Sequence, residues 1–516
     1  MSDESLPPGW AQIEIEDSLL PYPNGKRIRQ GWSPQCEDHP AKSHDEWAVL
    51  RTSAIQDGSF VDAENKKLPE SLEPRPHLEV QVGDILITCA GPRSRCGVTC
   101  LVRATRPRLL ISGKMYQLRA NPGLIEQHFL ELFLRESGTR KKIDAMKTGI
   151  SDSGLNLTHD RFRTLSIPLP PLAEQKRIVA KIEELFSELE AGQESLRVAR
   201  RQLGVYRQSL LKQAFEGKLT AQWRTQNPAK LESPAHLLAR IQSARQSPTG
   251  PEASSRRSRK GAAEIALENR LVDSLPRLPE SWQWTALGNL VHLITKGSSP
   301  KWQGFDYTDN TNGVLFVTSE NVRTGYLDLS RPKYLGLGFN EIQPASVLKE
   351  GDVLLNIVGA SIGRAAVFNR TTLANINQAV SVIRPTIYLD RAFLTYHLNS
   401  SRTYQLVTSK AVDVARANFS LADVNEIPVP LCSLPEQLEI VRLLDAQFEV
   451  IERNERELDA ALKRSEALRQ AILKKAFTGR LVPQVATDEP ASTLLARLRT
   501  ERAAAPASKR KPTLQP

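Results

Sequence analysis

Basic and polar side chains gather in a few glycine-bearing runs of this 516-residue chain, and these are the residues whose spacing suggests chemistry. One run is Lys296-Gly297-Ser298-Ser299-Pro300-Lys301-Trp302, and another is Arg93-Ser94-Arg95 after Ala90-Gly91-Pro92. Lys410, Arg416 and Asn418 form a third group, and Lys114, Lys147 and Arg364 occur singly. Arg and Lys reach guanine edges or phosphates, Asn pairs with adenine, and glycine lets a backbone approach a duplex closely. The candidate nucleic-acid contacts are therefore Arg93, Arg95, Lys114, Lys147, Lys296, Ser298, Ser299, Lys301, Arg364, Lys410, Arg416 and Asn418. Each also suits an ordinary solvated loop.

Motifs of enzymatic chemistry are absent from the sequence. It holds no G-x-x-x-x-G-K-[ST] phosphate loop, no G-x-G-x-x-G after a strand, no H-E-x-x-H, no G-x-S-x-G and no N-P-P-aromatic or D-P-P-aromatic tetrapeptide. Gly359-Ala360-Ser361-Ile362-Gly363-Arg364 fits a tight turn after a buried strand better than a phosphate cradle. Five cysteines, an odd number, fit reduced thiols. Neither Cys89, Cys96 and Cys100 nor Cys36 with His39 follows a paired C-x-x-C metal spacing. The expectation is a chain without catalytic residues, metal or cofactor of its own. An enzyme with an unrecognised site is the remaining alternative, which turnover by the isolated chain would reveal.

With 69 Lys+Arg against 58 Asp+Glu, the net charge of +11 favours a polyanionic partner. Residues 223–270 hold nine Lys/Arg and four Glu, so much of that excess sits in one connector. No run approaches the ~20 apolar residues of a membrane span, and Met1-Ser2-Asp3-Glu4 is unlike a signal peptide, which points to a cytoplasmic protein.

The elements that must position these loops are written twice. Ile167-Pro168-Leu169-Pro170 is echoed by Ile427-Pro428-Val429-Pro430, read as a hinge, and Glu174-Gln175 by Glu436-Gln437. Phe215-Glu216-Gly217-Lys218-Leu219 returns as Phe477-Thr478-Gly479-Arg480-Leu481, with the offset constant at 262 residues from Glu174 to Gln222. Leu6-Pro7 with Trp10 matches Leu278-Pro279 with Trp282, Gly83-Asp84 matches Gly351-Asp352, and Leu237-Leu238-Ala239-Arg240 matches Leu494-Leu495-Ala496-Arg497. Positions Ile178, Ile182, Leu185, Leu189, Leu196, Ala199, Leu203, Tyr206 and Leu210 step by fours and threes, interrupted by Gly192. Ile440, Leu444, Ile451, Leu458, Ala461, Leu468 and Ile472 stand at the aligned places, with polar Gln447, Asn454 and Ser465 filling the remaining steps. Gly192 and Asn454 fall at equivalent mid-seam places. Each run predicts a long helix: about 43 residues make a rod of roughly 65 Å. Ser433 with Glu436 predicts an N-terminal capping box, and Gly217 and Gly479 predict left-handed stops. Paired antiparallel within one chain, two such rods would separate two domains with pseudo-two-fold symmetry. Heptads alone equally suit a coiled-coil scaffold that joins protein partners and never reads DNA.

The predicted fold class is α+β. The expected division is a first globular domain at 1–166, a helical spacer at 167–222, and a short helix with a flexible basic connector at 223–272. A second globular domain at 273–426, a second spacer at 427–484 and a short helix with a disordered tail at 485–516 complete it.

The Ile-Pro-Leu-Pro-Pro-Leu-Ala-Glu-Gln start at 167–175, its echo ending Leu434-Pro435-Glu436-Gln437, and the paired Ala-Phe-x-Gly-Lys/Arg-Leu ends resemble the specificity subunits of type I restriction-modification enzymes. Gly297-Ser298-Ser299-Pro300, Phe316-Val317-Thr318-Ser319 and Gly351-Asp352-Val353-Leu354 look like elements of that family's target recognition domains, and the first half shows no clear Gly-Ser-Ser-Pro counterpart. The resemblance implies a non-catalytic subunit in which each domain reads one half of a split, asymmetric double-stranded DNA target and the paired helices set the gap. It also implies two methyltransferase subunits docked on the helices and motor-nuclease subunits beyond them. S-adenosylmethionine, ATP and Mg would belong to those partners.

Overall fold

The computed structural model describes residues 6–149, 153–246, 264–268, 272–309, 313–411 and 418–504. Arg416, most of the 246–260 connector and the tail beyond Ala504 lie outside them. The chain forms two compact units: residues 1–196 with 459–516, and residues 197–458. Compactness thus divides the chain differently from a linear list of domains, because each long helix contributes to both units.

In the first unit a four-stranded antiparallel sheet runs in the order Ile28–Gln30, Met115–Leu118, Ile85–Thr88, Thr99–Leu101. A three-stranded sheet sets Ala48–Leu50 between Leu109–Leu110, to which it is parallel, and Asn65–Lys67, to which it is antiparallel. Side chains alternate across the first sheet. Ile85 and Ile87 enter a core with the helix Gln127–Arg135, while Leu86, Cys100 and Met115 enter the core beneath the smaller sheet.

The second unit repeats this plan. Its four-stranded order is Val291–Lys296, Val380–Pro385, Val353–Asn356, Ala365–Val367, and Val314–Val317 lies between Tyr334–Leu335 and parallel Ala374–Ile376. Val353 and Leu355 face one core and Leu354 the other. The Gly-Asp turns match as well. Gly83 and Gly351 take φ of 91° and 93°, which admits glycine readily. Asp84 then accepts from Gln81 N and from Arg119 Nε, both at 2.7 Å, as Asp352 does from Lys349 N and Arg384 Nε at 2.7 Å.

The expected Ile-Pro hinge is instead a strand in each unit. Ser166–Leu169 pairs antiparallel with Ala11–Glu14, and Pro428–Leu431 with Gln283–Ala286. Proline is tolerated because a two-stranded ribbon leaves N–H positions that need no ladder partner. The pairing also shifts the echo by two residues. Leu165 O accepts from Ile15 N, and Ile427 O from Leu287 N, both at 2.8 Å, so Leu165 is the counterpart of Ile427. The offset of 262 therefore holds through these strands too.

The long helices are Leu172–Phe215 and Leu434–Phe477, 44 residues each. In the first unit Ile178, Ile182 and Phe186 share a core with Ile472, Leu473, Ala476 and Phe477, with Leu185 and Leu189 packed against it. In the second, Leu210, Leu211, Ala214 and Phe215 meet Ile440, Leu444, Phe448 and Ile451, with Leu203 alongside. Within each unit the start of one helix thus lies against the end of the other, in the antiparallel sense. Leu196 and Leu458 are half-buried. Leu468, expected on the seam, is half exposed. Its neighbours Ser465 and Arg469 face the partner helix instead, through Gln193 Nε2 to Ser465 Oγ at 3.0 Å and Arg469 to Glu190 at 2.6 Å. Gly192 and Asn454 are likewise exposed rather than in the seam. The heptad reading missed two aromatics, Phe186 beneath Arg469 at 4.1 Å and Phe448 beneath Arg207 at 5.1 Å.

Helix ends are held from outside. Gly217 and Gly479 stop the helices at φ of 72° and 69°, with the Lys218 to Gln213 and Arg480 to Lys475 backbone bonds of a Schellman turn. A Cβ at either would overlap the ring of Pro279 or Pro7. The expected Ser433 capping box does not form, since Ser433 Oγ is buried without a hydrogen-bond partner. Glu436 is drawn away to Trp282 Nε1 at 2.9 Å and Thr220 Oγ1 at 2.8 Å.

Candidate nucleic-acid interface

Gly297 follows the strand Val291–Lys296 at a point where a Cβ would strike the carbonyls of Ile376 and Asn377. Only glycine passes there, and the chain then turns outward through Ser298 and Ser299 into the single helical turn Pro300–Gln303. Gln303 Nε2 donates to Ser298 Oγ at 3.1 Å, and Gly304 closes the turn with φ of 77°. Pro300 is buried, whereas Lys296, Lys301 and Trp302 project from the surface.

The first unit has the same loop in a different spelling. Gly31 follows Ile28–Gln30, a Cβ there would strike the carbonyls of Ile111 and Ser112, and Pro34 stands where Pro300 does. Gly31 N donates to Met115 O at 3.3 Å, as Gly297 N does to Val380 O at 3.4 Å. Gly31-Trp32-Ser33-Pro34 is thus the counterpart of Gly297-Ser298-Ser299-Pro300. A search for paired serines overlooks it, because backbone crowding dictates the glycine and the turn the proline, while the residues between are free to differ. Trp32 lies under Arg75, 4.2 Å away.

A second pair of equivalent loops lies beside these. Ala90 pairs with Asn156 and Val358 with Asn418, the same 262-residue offset, and both asparagines are exposed. Asn156 escaped the sequence reading, although extending that offset upstream finds it. Gly359–Arg364 is the expected tight turn, with Gly359 and Gly363 at φ of 81° and 84° and Asn356 Nδ2 tied to Ser361 Oγ at 3.1 Å. Arg364 there is half-buried.

The candidate cations divide by their surroundings. Arg95 donates to the carbonyls of Thr52 and, at 2.8 Å, Ile55, clamping the Ile55–Phe60 hairpin. The Lys147 side chain is 3% exposed, pairs with Asp144 and reaches the Arg93 carbonyl at 3.4 Å. Lys410 is shared between Glu426 at 3.3 Å and Asp423 at 3.8 Å. Arg93, Lys114, Lys296 and Lys301 are exposed. Burial pushes the Cys89 and Cys100 thiols up to about 12, far from the reactive thiolate form. Among the described residues there is no cluster suited to a metal ion and no helix long and apolar enough to cross a membrane.

Comparisons with known proteins agree with this doubled layout. A 181-residue stretch is 38% identical to the type I restriction enzyme EcoEI specificity subunit of Escherichia coli, covering 35% of this chain and 30% of that one. Over 98% of both chains it is 24% identical to the EcoKI specificity subunit of Escherichia coli strain K12. A solved structure described as "Structural basis underlying complex assembly and conformational transition of the type I R-M system" matches the fold with a TM-score of 0.62 at 22% identity, covering 92% of this chain and 100% of that one. Residues 64–198 and 279–464, more than half of the sequence, match the family described as "Type I restriction modification DNA specificity domain". The chain belongs to the family of type I restriction-modification DNA specificity proteins.

Proposed function

We propose that this chain is the DNA sequence-specificity subunit of a type I restriction-modification enzyme. Residues 1–166 and 273–426 act as target recognition domains, each reading one half of a bipartite, asymmetric target, and the spacers 167–222 and 427–484 set the gap between the halves. The carrying observation is the repeated glycine-proline loop, built on one sheet order in both units yet displaying different side chains. Two readers of one design with different surfaces suit a target whose halves differ. The chain itself is not catalytic. Two methyltransferase subunits dock on its helices and hold S-adenosylmethionine, while motor-nuclease subunits supply ATP- and Mg-dependent cleavage, all in the cytoplasm. The test is to replace residues 273–426 by the corresponding domain of another family member and sequence the methylated sites. One half of the methylated motif should change and the other remain. An unchanged motif overturns the assignment.

A further inference from the structure

Resting on that DNA-reading role, we propose that Trp302 is a stacking contact between the second recognition domain and DNA bases, one for which the first domain has no equivalent. Of the seven tryptophans, the other six are buried or half-buried, whereas Trp302 is 82% exposed. An indole is the largest apolar side chain, and tryptophan is enriched at surfaces that a partner covers. It is also presented rigidly. Pro300 anchors the turn in the core, Phe305 N returns to Pro300 O at 3.0 Å, and Gly304 ends the turn in the left-handed region.

The surroundings argue for DNA as that partner. Lys296 and Lys301 are exposed on the same loop, and Tyr307, 54% exposed, has the Lys333 ammonium, itself paired with Glu320 at 3.2 Å, 5.4 Å from its ring. Aromatic faces interleaved with lysines are what bases and phosphates meet together, the ring taking a base plane and the ammonium a phosphate. Modification of a base within a duplex requires it to leave the stack, which opens a neighbouring base plane to an aromatic side chain. At the equivalent places the first unit carries Gln30, Gln35 and Cys36 instead of Lys296, Lys301 and Trp302. Cys36 thus stands where Trp302 does, and the indole of that loop, Trp32, is half-buried under Arg75 rather than presented to solvent.

The experiment uses the complex of this chain with its modification subunits. The probe is a duplex bearing the bipartite motif found by sequencing methylation in the source genome, with 2-aminopurine placed in one half or the other. Trp302→Ala should weaken binding about 5- to 150-fold, the range of one base–aromatic stack. The slope of log K against log salt should stay unchanged, and the fluorescence response should be lost in one half only. Trp302→Phe should retain most of the affinity, and Lys301→Ala should instead lower the salt slope by about one. The proposal is overturned if Trp302→Ala binds and responds like the parent, or if it loses the modification subunits while the chain still binds the duplex, since a protein then covers the indole. If the parent complex methylates no bipartite motif, the DNA-reading role itself fails and this contact with it.

Discussion

Glu174 and Glu436 occupy equivalent positions, and each accepts an indole N–H, from Trp10 at 3.1 Å and from Trp282 at 2.9 Å. Their neighbours Gln175 and Gln437 are equally matched, each accepting from a backbone N–H at 2.8 Å at the start of a domain helix. The surroundings then diverge. Glu436 also receives Thr220 and the Arg224 guanidinium at 2.7 Å, whereas Glu174 Oε1 is buried without a partner and burial raises its pKa. Repetition of the Glu-Gln pair was legible in the sequence, but its role was not, since the partner of Glu174 lies 164 residues away. A second divergence is testable. His397 stacks edge-on against Phe215 where Phe133 meets Phe477 in the other unit, and burial lowers its pKa from 6.5 to about 4. The unfolded ring therefore binds its proton at a higher pH than the folded one. The contribution is complete above pH 6.5 and is lost as pH falls through that window toward 4, by up to about 3 kcal/mol. His397→Phe should flatten this part of the acid dependence of urea midpoints. An identical slope would show that other groups cause it.

Elements were the most legible scale. Both long helices and their left-handed glycine stops follow from periodicity and turn chemistry. The seam was read less well because a strict heptad drifts around a straight helix, while the real packing partners are domain cores near the helix ends. Phe186 and Phe448 therefore join, and Leu468 turns to solvent. The glycine-proline loop of the first unit was missed for another reason. Its constraint comes from the carbonyls of Ile111 and Ser112, which no local spacing announces. At the helix stops, Gly217→Ala and Gly479→Ala should each cost about 1–3 kcal/mol, combining left-handed strain with displacement of Pro279 or Pro7. Thermal unfolding of the single variants measures this. Loss below a few tenths of a kcal/mol would mean that the proline ring simply moves aside.

Across the whole molecule the net charge of +11 says little about where DNA lies, because much of the excess falls in the connector. The make-up of the two units says more. The second unit is one continuous stretch, 197–458, but the first needs residues from both ends of the chain. Ile472, Leu473, Ala476, Phe477, Ala491 and Leu494 are buried in the same core as Trp10, Ile13 and Phe129, and Ala491 N donates to Gly9 O at 2.9 Å. A chain ending at Leu458 should therefore protect 197–458 from protease while the first domain is digested. Equal protection of both would contradict the composition of that core. Domains usually close in the order in which the ribosome releases them. Here Trp10, Ile13 and Phe129 share their core with residues 472–494, so the nascent first domain must wait, partly open, through the synthesis of its sibling.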